Sequence, residues 1–161
     1  MRNLFFILVL LVSNSILSQL NHIKRKSIYF ELAGSGGLGS INYEKHFFNK
    51  NKVDLTWRLG LSFAPIDKNN GFGLVFPVMV NALIGKKAHK LELGIGQGIT
   101  LTTKGSFFIL TPLVLGYRFQ KPEKNIFYRI TYTPLISYLV DFQYQNWGGI
   151  SIGYRFNTKI K

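Results

Sequence analysis

The sequence predicts an all-β protein, an eight-stranded antiparallel up-and-down (meander) β-barrel preceded by a signal peptide. Three observations lead to this prediction. Apolar and polar residues alternate along most of the chain after residue 26, and turn-forming residues divide that region into eight stretches of similar length. After residue 20, no stretch reaches the roughly 18 uninterrupted apolar residues that a membrane-spanning helix needs.

The alternation is clearest over residues 52–63. Every second residue from Val53 to Phe63 is apolar, and the residues between them are charged, polar or glycine. A period of two residues is typical of a strand with two unlike faces. An apolar face on every strand, with charge restricted to the other face and the turns, is the pattern of a barrel whose outer surface contacts lipid. We therefore expect apolar side chains to point outward and charged ones inward.

The strand boundaries follow from this pattern and from the turn residues. Each of the seven connections contains the Gly, Asn, Pro or Asp that tight turns require, and each is short enough to join antiparallel neighbours. The tetrapeptide Gly116–Phe119 recurs as Gly153–Phe156, at equivalent ends of the sixth and eighth strands. The predicted strands are 27–35, 39–48, 52–63, 72–84, 89–102, 106–119, 126–137 and 147–156.

Two features fit this strand pattern poorly. Pro77, Pro112 and Pro134 fall inside predicted strands, where each removes one hydrogen bond from a ladder. The stretch 72–84 also alternates poorly. Because the three prolines lie at similar distances from the same end of their strands, we expect bulges or early strand ends at that level.

The first residues, 1–18, are interpreted as a cleaved signal peptide. A short positive segment that includes Arg2 precedes nine uninterrupted apolar residues, Leu4–Val12. A segment rich in small and polar residues, 13–19, follows and resembles a cleavage region. Nine apolar residues are too few to span a bilayer as a helix. We expect cleavage after Ser18, which would leave 19–161 as a single outer-membrane-type β-barrel domain.

Composition excludes several classes of site. The chain contains no cysteine, so disulfides, thiolate metal sites and lipoprotein acylation are excluded. Its 20 Lys and Arg against seven Asp and Glu give a net charge of +13, which would suit nucleic acid. An exported chain rarely meets nucleic acid, so we expect no such partner.

The positive charges are distributed unequally between the two ends of the predicted barrel. Only Lys68 and Lys104 lie at one end. The end that holds the termini should face the periplasm and meet anionic phospholipid headgroups, because termini and short turns of outer-membrane barrels lie on that side. The thirteen residues at that end are Lys24, Arg25, Lys26, Lys45, Lys50, Lys52, Lys86, Lys87, Lys90, Lys121, Lys124, Lys159 and Lys161.

Alternation directs eight charged side chains into the barrel interior. An eight-stranded barrel is just wide enough for side chains to fill it, so we predict a closed ion-pair network rather than an open channel. On the lipid face, each arginine would cost about 2–4 kcal/mol at the bilayer midplane. The four acids and four arginines are Glu31, Glu44, Asp54, Glu92, Arg58, Arg118, Arg129 and Arg155.

Aromatic residues gather near the strand ends on the outward-facing positions. Tyr and Trp prefer the headgroup level of a membrane, where the ring is buried and its polar atom is hydrated. These outward aromatics are Tyr43, Phe47, Tyr117, Phe119, Tyr128, Tyr154 and Phe156.

No motif in the chain predicts a catalytic, cofactor or metal site. The glycines of 34–39 match a dinucleotide-binding fingerprint, but the residues that follow alternate as a strand, so no helix N-terminus is present to bind phosphate. We interpret this segment as a glycine hairpin. His22, His46 and His89 are isolated, and none has a partner at metal-ligand spacing.

The sequence resembles small outer-membrane β-barrel proteins of Gram-negative bacteria. Gly149–Phe156 resembles their terminal strand, whose alternating pattern ending in an aromatic residue is read by the barrel-insertion machinery. Pro77–Lys87, Leu91–Gly94, Gly116–Gln120 and Arg129–Leu135 resemble the same family. The resemblance implies a barrel fold and an outer-membrane location after export through the inner membrane, and it supplies no catalytic residues.

We therefore predict a structural or surface-interaction role without catalysis. The expected partners are membrane lipids and, during assembly, the barrel-insertion machinery, and we expect a monomer. Two alternatives remain open. One is a soluble periplasmic β-barrel that binds a lipid or another hydrophobic ligand, and the other is an outer-membrane enzyme that modifies lipid A. The polarity of the barrel interior distinguishes the first alternative from the membrane barrel.

Overall fold

Strands account for almost all of the structure. The computed structural model describes residues 25–137 and 142–157, so the predicted signal peptide and His22 lie outside it. Among the described residues, no helix is long and apolar enough to cross a membrane. The strands are β1 Arg25–Ala33, β2 Gly39–Lys50, β3 Val53–Asp67, β4 Gly71–Lys86, β5 His89–Thr102, β6 Phe107–Phe119, β7 Ile126–Tyr132, β8 Leu135–Ser137, β9 Gln143–Gln145 and β10 Gly148–Asn157.

Eight of these strands close an antiparallel barrel, which confirms the predicted fold. Consecutive strands pair from β1 to β7, β10 pairs with both β7 and β1, and the β5–β6 pairing completes the circle. The short strands β8 and β9 form a hairpin that pairs with β6 beyond the end of β7. The predicted strand 126–137 is therefore divided between a barrel strand and this hairpin.

The alternation of residue types becomes an alternation of burial. On β1, Tyr29 and Glu31 are buried, whereas Phe30 between them is half exposed on the outer surface. The strand β4 alternates in burial as regularly as the others, and Met79 and Leu83 lie on its inner face. Its sequence shows little alternation because both of its faces are apolar.

The three prolines mark places where the ladders are interrupted. β3 and β4 pair on both sides of Pro77 but not at Pro77 itself, and β5 and β6 skip Pro112 in the same way. Pro134 follows the end of β7, and its carbonyl oxygen accepts a hydrogen bond from the Leu113 N–H at 3.0 Å. The register is the same on both sides of Pro77 and of Pro112, so the expected bulges are absent there and each proline only interrupts the ladder. Pro134 instead follows a strand that ends early, at Tyr132.

The two ends of the barrel differ in charge as predicted. We call the end with the start of β1, the end of β10 and the turns 51–52, 87–88 and 120–125 the basic end. Ten of the thirteen predicted cations lie there; the other three, Lys24, Lys159 and Lys161, fall outside the described residues. Lys68 and Lys104 lie at the opposite end, where the Lys104 Nζ donates a hydrogen bond to the Lys68 carbonyl at 2.9 Å.

Candidate functional site

The interior of the barrel contains a connected set of charged side chains, which we call the interior network. Six different strands each contribute one inward-facing residue to it, and each is at most 3% exposed. Three are acids and three are arginines, so their formal charges cancel. The members are Glu31 of β1, Glu44 of β2, Arg58 of β3, Glu92 of β5, Arg118 of β6 and Arg129 of β7.

Arg118 connects opposite walls of the barrel. Its Nη1 and Nη2 donate to the two carboxylate oxygens of Glu44 at 2.7 and 2.8 Å. The strands β2 and β6 are separated by three strands in either direction around the barrel, so this bidentate pair spans the interior. The Arg118 Nε also donates to Glu92 Oε2 at 3.1 Å, and the guanidinium lies 4.7 Å from the centre of the Phe127 ring. Opposite walls are therefore joined by direct side-chain contact.

Arg129 extends the network to the other acids. Its Nε donates to Glu92 Oε2 at 2.9 Å, and its Nη1 donates to Glu31 Oε1 at 2.9 Å. Its guanidinium lies 5.0 Å from the centre of the Tyr29 ring. Acids and arginines therefore alternate along a single chain of contacts.

Arg58 ends this chain on the β3 side. Its Nη1 donates to the Tyr29 hydroxyl at 2.8 Å, and its Nη2 lies 3.6 Å from Glu31 Oε2. Arg58 is directly opposite Glu44 in the β2–β3 ladder. The guanidinium nevertheless interacts with β1 groups, because Glu44 is already bound by Arg118 across the barrel.

Two of the eight predicted interior charges are buried but form no direct ion pair with the other six, which corrects the prediction of one closed set. Asp54 lies near the basic end, with its Oδ2 3.2 Å from the Lys90 Nζ and 3.6 Å from the Arg25 Nη1. Arg155 donates from Nη2 to the carbonyls of Pro122 and Lys124 at 2.8 and 3.2 Å. Both interact with groups at the basic end because the strand ends carry their side chains away from the centre.

The first connection closes the opposite end of the interior. Gly34–Gly36 forms a buried 3-10 turn rather than the simple glycine hairpin that the sequence predicted. The Ser35 Oγ donates to Glu31 Oε2 at 3.2 Å, which ties the turn to the interior network. A Cβ on Gly36 would lie 2.6 Å from the Ser40 Cβ, so the turn fills the available space. Gly39 begins β2, and no helix follows the glycines.

The predicted aromatic residues lie on the outer surface. Tyr117, Tyr128, Tyr154 and Phe156 are each between 43% and 53% exposed, and the others in the set are partly exposed. Trp57, which is not among the predicted aromatic residues, lies 5.6 Å from Tyr43 between ring centres. Its outward parity on residues 52–63 is the signal that would have identified it.

The two described histidines both lie towards the basic end. His46 is buried, with Nδ1 3.2 Å from Asp54 Oδ1 and Nε2 3.7 Å from Glu44 Oε1. His89 is exposed and is hydrogen-bonded to the Tyr117 hydroxyl. Within residues 25–137 and 142–157, no group of three or more His, Cys, Asp or Glu is placed to hold a metal ion.

Comparison with known proteins identifies a barrel of the same architecture. No protein-family model and no curated protein sequence matches the chain. The crystal structure of the N-terminal β-barrel domain of Pseudomonas aeruginosa OprF is similar, with a TM-score of 0.55 and 11% sequence identity. The match covers 82% of this chain and 96% of that chain. At this identity, the likeness concerns the fold alone, and it agrees with the eight-stranded closure described above.

Proposed function

We propose that the protein is a small integral outer-membrane β-barrel with a side-chain-filled, ion-paired interior and a structural or surface-interaction role without catalysis. The observation that carries this proposal is the difference in polarity between the inner and outer faces of the barrel. Most of the buried side chains are polar or charged, with a smaller number of apolar ones such as Met79 and Phe127, while large apolar side chains cover the outside. A soluble protein places its apolar side chains inside, so this arrangement suits a hydrocarbon environment.

The apolar surface continues around the whole barrel. Each of the eight barrel strands contributes at least one large apolar side chain that is between 41% and 62% exposed. An exposed apolar surface that encloses a molecule would drive aggregation in water, whereas lipid chains would cover it. Examples in strand order are Phe30, Ile41, Leu59, Val80, Leu93, Leu115, Ile130 and Ile152.

The lengths of the connections support one orientation in the membrane. Of the three turns at the basic end, 51–52 and 87–88 have two residues each and 120–125 has six, while the longest connection, 133–147, lies at the opposite end between β7 and β10. Outer-membrane barrels place short turns and termini in the periplasm. We therefore orient the basic end towards the periplasm, after export directed by the predicted signal peptide, 1–18.

Assembly and oligomeric state remain predictions. We expect the barrel-insertion machinery to recognise β10, which pairs with β1 to close the barrel. Membrane lipids would then be the main contacts of the outer surface, and the protein would be a monomer.

The two alternatives receive less support from the arrangement of side chains. A periplasmic carrier of a hydrophobic ligand needs an apolar interior, whereas the interior network occupies the centre of this barrel. A lipid A-modifying enzyme needs its nucleophile and base near the external rim. Both His46 and His89 lie towards the opposite, basic end.

The membrane proposal is tested with protein refolded in detergent and reconstituted into liposomes. We expect the folded barrel to float with the vesicles in a density gradient and to migrate differently in SDS gels before and after boiling. A folded protein that stays at the bottom of the gradient would favour the soluble carrier. Stable channels in planar bilayers would contradict the side-chain-filled interior, and mass changes in lipid A on expression would favour the enzyme.

A further inference from the structure

A groove of about 690 Å³ lies at the basic end, between the β2–β3 turn and the end of β4. Its two apolar lining residues, Phe48 and Val53, are only partly buried. Three exposed lysines surround them. The complete lining is Phe48, Lys50, Asn51, Lys52, Val53 and Lys86.

An irregularity in β2 places part of this lining on the outer surface. The β2–β3 register shifts between His46 and Phe48, so Phe48 lies opposite Leu55 and Lys50 lies opposite Val53. Leu55 and Val53 belong to the outward-facing set of β3. A regular strand would have turned Phe48 and Lys50 inward, because His46 is inward and residues alternate. The bulge therefore brings an aromatic ring and a cation to the face that we assign to the membrane.

The positive charge of the groove is uncompensated. Among the ion pairs of the described residues, none includes Lys50, Lys52 or Lys86. Asp54, on the neighbouring inward position of β3, is bound by Lys90 and Arg25 instead. Three ammonium groups around one groove thus remain available to an anionic group.

The apolar side of the groove continues into the outer surface of the barrel. Val53 is opposite Ile84 in the β3–β4 ladder, and the next outward pair is Leu55 and Ala82. A ligand with its anionic group between the lysines could therefore lay a hydrocarbon chain along β3 and β4. A free inorganic anion would use only the lysines.

We propose that this groove is a binding site for the headgroup of an anionic phospholipid, with the phosphate held between Lys50, Lys52 and Lys86 and the acyl chains on Phe48 and Val53. The proposal rests on the proposed membrane location. It assigns a specific role to three cations within the basic end. Lysine stems can lie along an apolar surface while their ammonium groups reach the phosphate level.

The test measures lipid binding to the folded barrel in micelles of a non-ionic detergent. Phosphatidylglycerol and phosphatidylcholine with identical acyl chains are added together, and native mass spectrometry counts each lipid on the protein. The test variant is Lys50→Gln/Lys52→Gln/Lys86→Gln. The matched control is Lys26→Gln/Lys121→Gln/Lys124→Gln, which removes the same charge from the same end but away from the groove.

We expect wild type and control to retain phosphatidylglycerol in preference to phosphatidylcholine. The groove variant should lose on the order of 100-fold in affinity for phosphatidylglycerol, because each of the three lysines near an anionic lipid contributes about fivefold. Phe48→Ala should lower the affinity for phosphatidylglycerol without changing the charge of the groove. Equal losses in the groove variant and the control would overturn the proposal, since the effect would then come from the whole basic end.

Two further experiments distinguish a failure of the lipid assignment from a failure of the proposed membrane location. Inorganic phosphate at millimolar concentration should not displace the lipid; if it does so as well as a short-chain phosphatidylglycerol, the groove is an anion site and the lipid assignment is wrong. The membrane location is tested separately by flotation of wild type with phosphatidylcholine vesicles. A barrel that floats normally but shows no preference for phosphatidylglycerol would overturn the groove proposal alone.

Discussion

Arg118 and Arg129 lie directly opposite each other in the β6–β7 ladder, and a single carboxylate oxygen holds them together. Glu92 Oε2 accepts a hydrogen bond from the Nε of each arginine, at 3.1 and 2.9 Å. Two like charges directly opposite in a sheet repel each other. The pair persists because Glu92 lies between the two guanidinium groups, and Glu44 and Glu31 bind their outer nitrogens.

The substitution Glu92→Gln is expected to destabilise the barrel strongly. Glutamine keeps the size of the side chain but removes the charge that separates the two arginines. The free energy of unfolding should fall by about 3–5 kcal/mol, the range for a broken buried ion pair. Urea titration of the protein refolded in detergent measures the change. Glu123→Gln, in the exposed β6–β7 turn, is the matched control, and an equal midpoint for both variants would show that the interior network does not stabilise the fold.

Removing both members of the pair that spans the barrel should be less harmful than removing one. Arg118→Leu leaves Glu44 buried and without its bidentate partner, and the loss should again be about 3–5 kcal/mol. In Glu44→Leu/Arg118→Leu neither charge remains uncompensated, because Glu92 is still bound by Arg129. A double-mutant cycle in urea measures the coupling. A double variant that is less stable than Arg118→Leu would contradict the pairing described here.

The side-chain parity of the interior charges could be predicted from the sequence because a strand alternates with a fixed period of two. All eight of them are buried, and the apolar residues between them face outward. Parity also identifies Tyr29 as inward, although the preference of tyrosine for the headgroup level would favour the outer surface. It accepts a hydrogen bond from Arg58 and lies beside Arg129.

The pairing of these charges could not be predicted, since it depends on how far each strand is displaced along its neighbour. The contact between Glu44 and Arg118 joins residues 74 positions apart on opposite walls. Register shifts after His46 and after Pro65 change the alignment of β2, β3 and β4, and the alternation of residue types does not predict these shifts. The burial of the first turn, Gly34–Gly36, could not be predicted either, because its glycines suit an exposed hairpin as well as a buried turn.

Arg155 should contribute less to stability than Arg118, although both arginines belong to the same repeated tetrapeptide. The Arg155 guanidinium donates to two turn carbonyls, and none of the described carboxylates lies within ion-pair distance of it. Arg155→Leu therefore leaves no buried acid without a partner. We expect a loss of about 1.5–3 kcal/mol, as for hydrogen bonds from a charged donor. Urea midpoints of Arg155→Leu and Arg118→Leu measured side by side would contradict this if Arg155→Leu were the less stable of the two.

Gly36 should tolerate no side chain, because the turn it belongs to fills the end of the interior. A Cβ at this position would lie 2.6 Å from the Ser40 Cβ and 3.2 Å from the Ser62 Cβ, both on barrel strands. Gly36→Val should therefore lower the free energy of unfolding by about 1–3 kcal/mol through overpacking. The substitution should also displace the turn from the barrel interior, so that the Ser35 hydroxyl would no longer donate a hydrogen bond to Glu31. Limited proteolysis of the folded protein should detect new cleavage at the turn.

The control for Gly36→Val is Gly148→Ala, at the same end of the barrel. A Cβ on Gly148 would meet only the Thr131 carbonyl oxygen at 3.6 Å, an ordinary contact distance. This variant should keep the wild-type urea midpoint and proteolysis pattern, which separates overpacking from a general effect of replacing glycine. If Gly36→Val unfolds at the same midpoint and resists cleavage equally, the space around the turn is larger than the structure indicates, and the first connection does not close the interior.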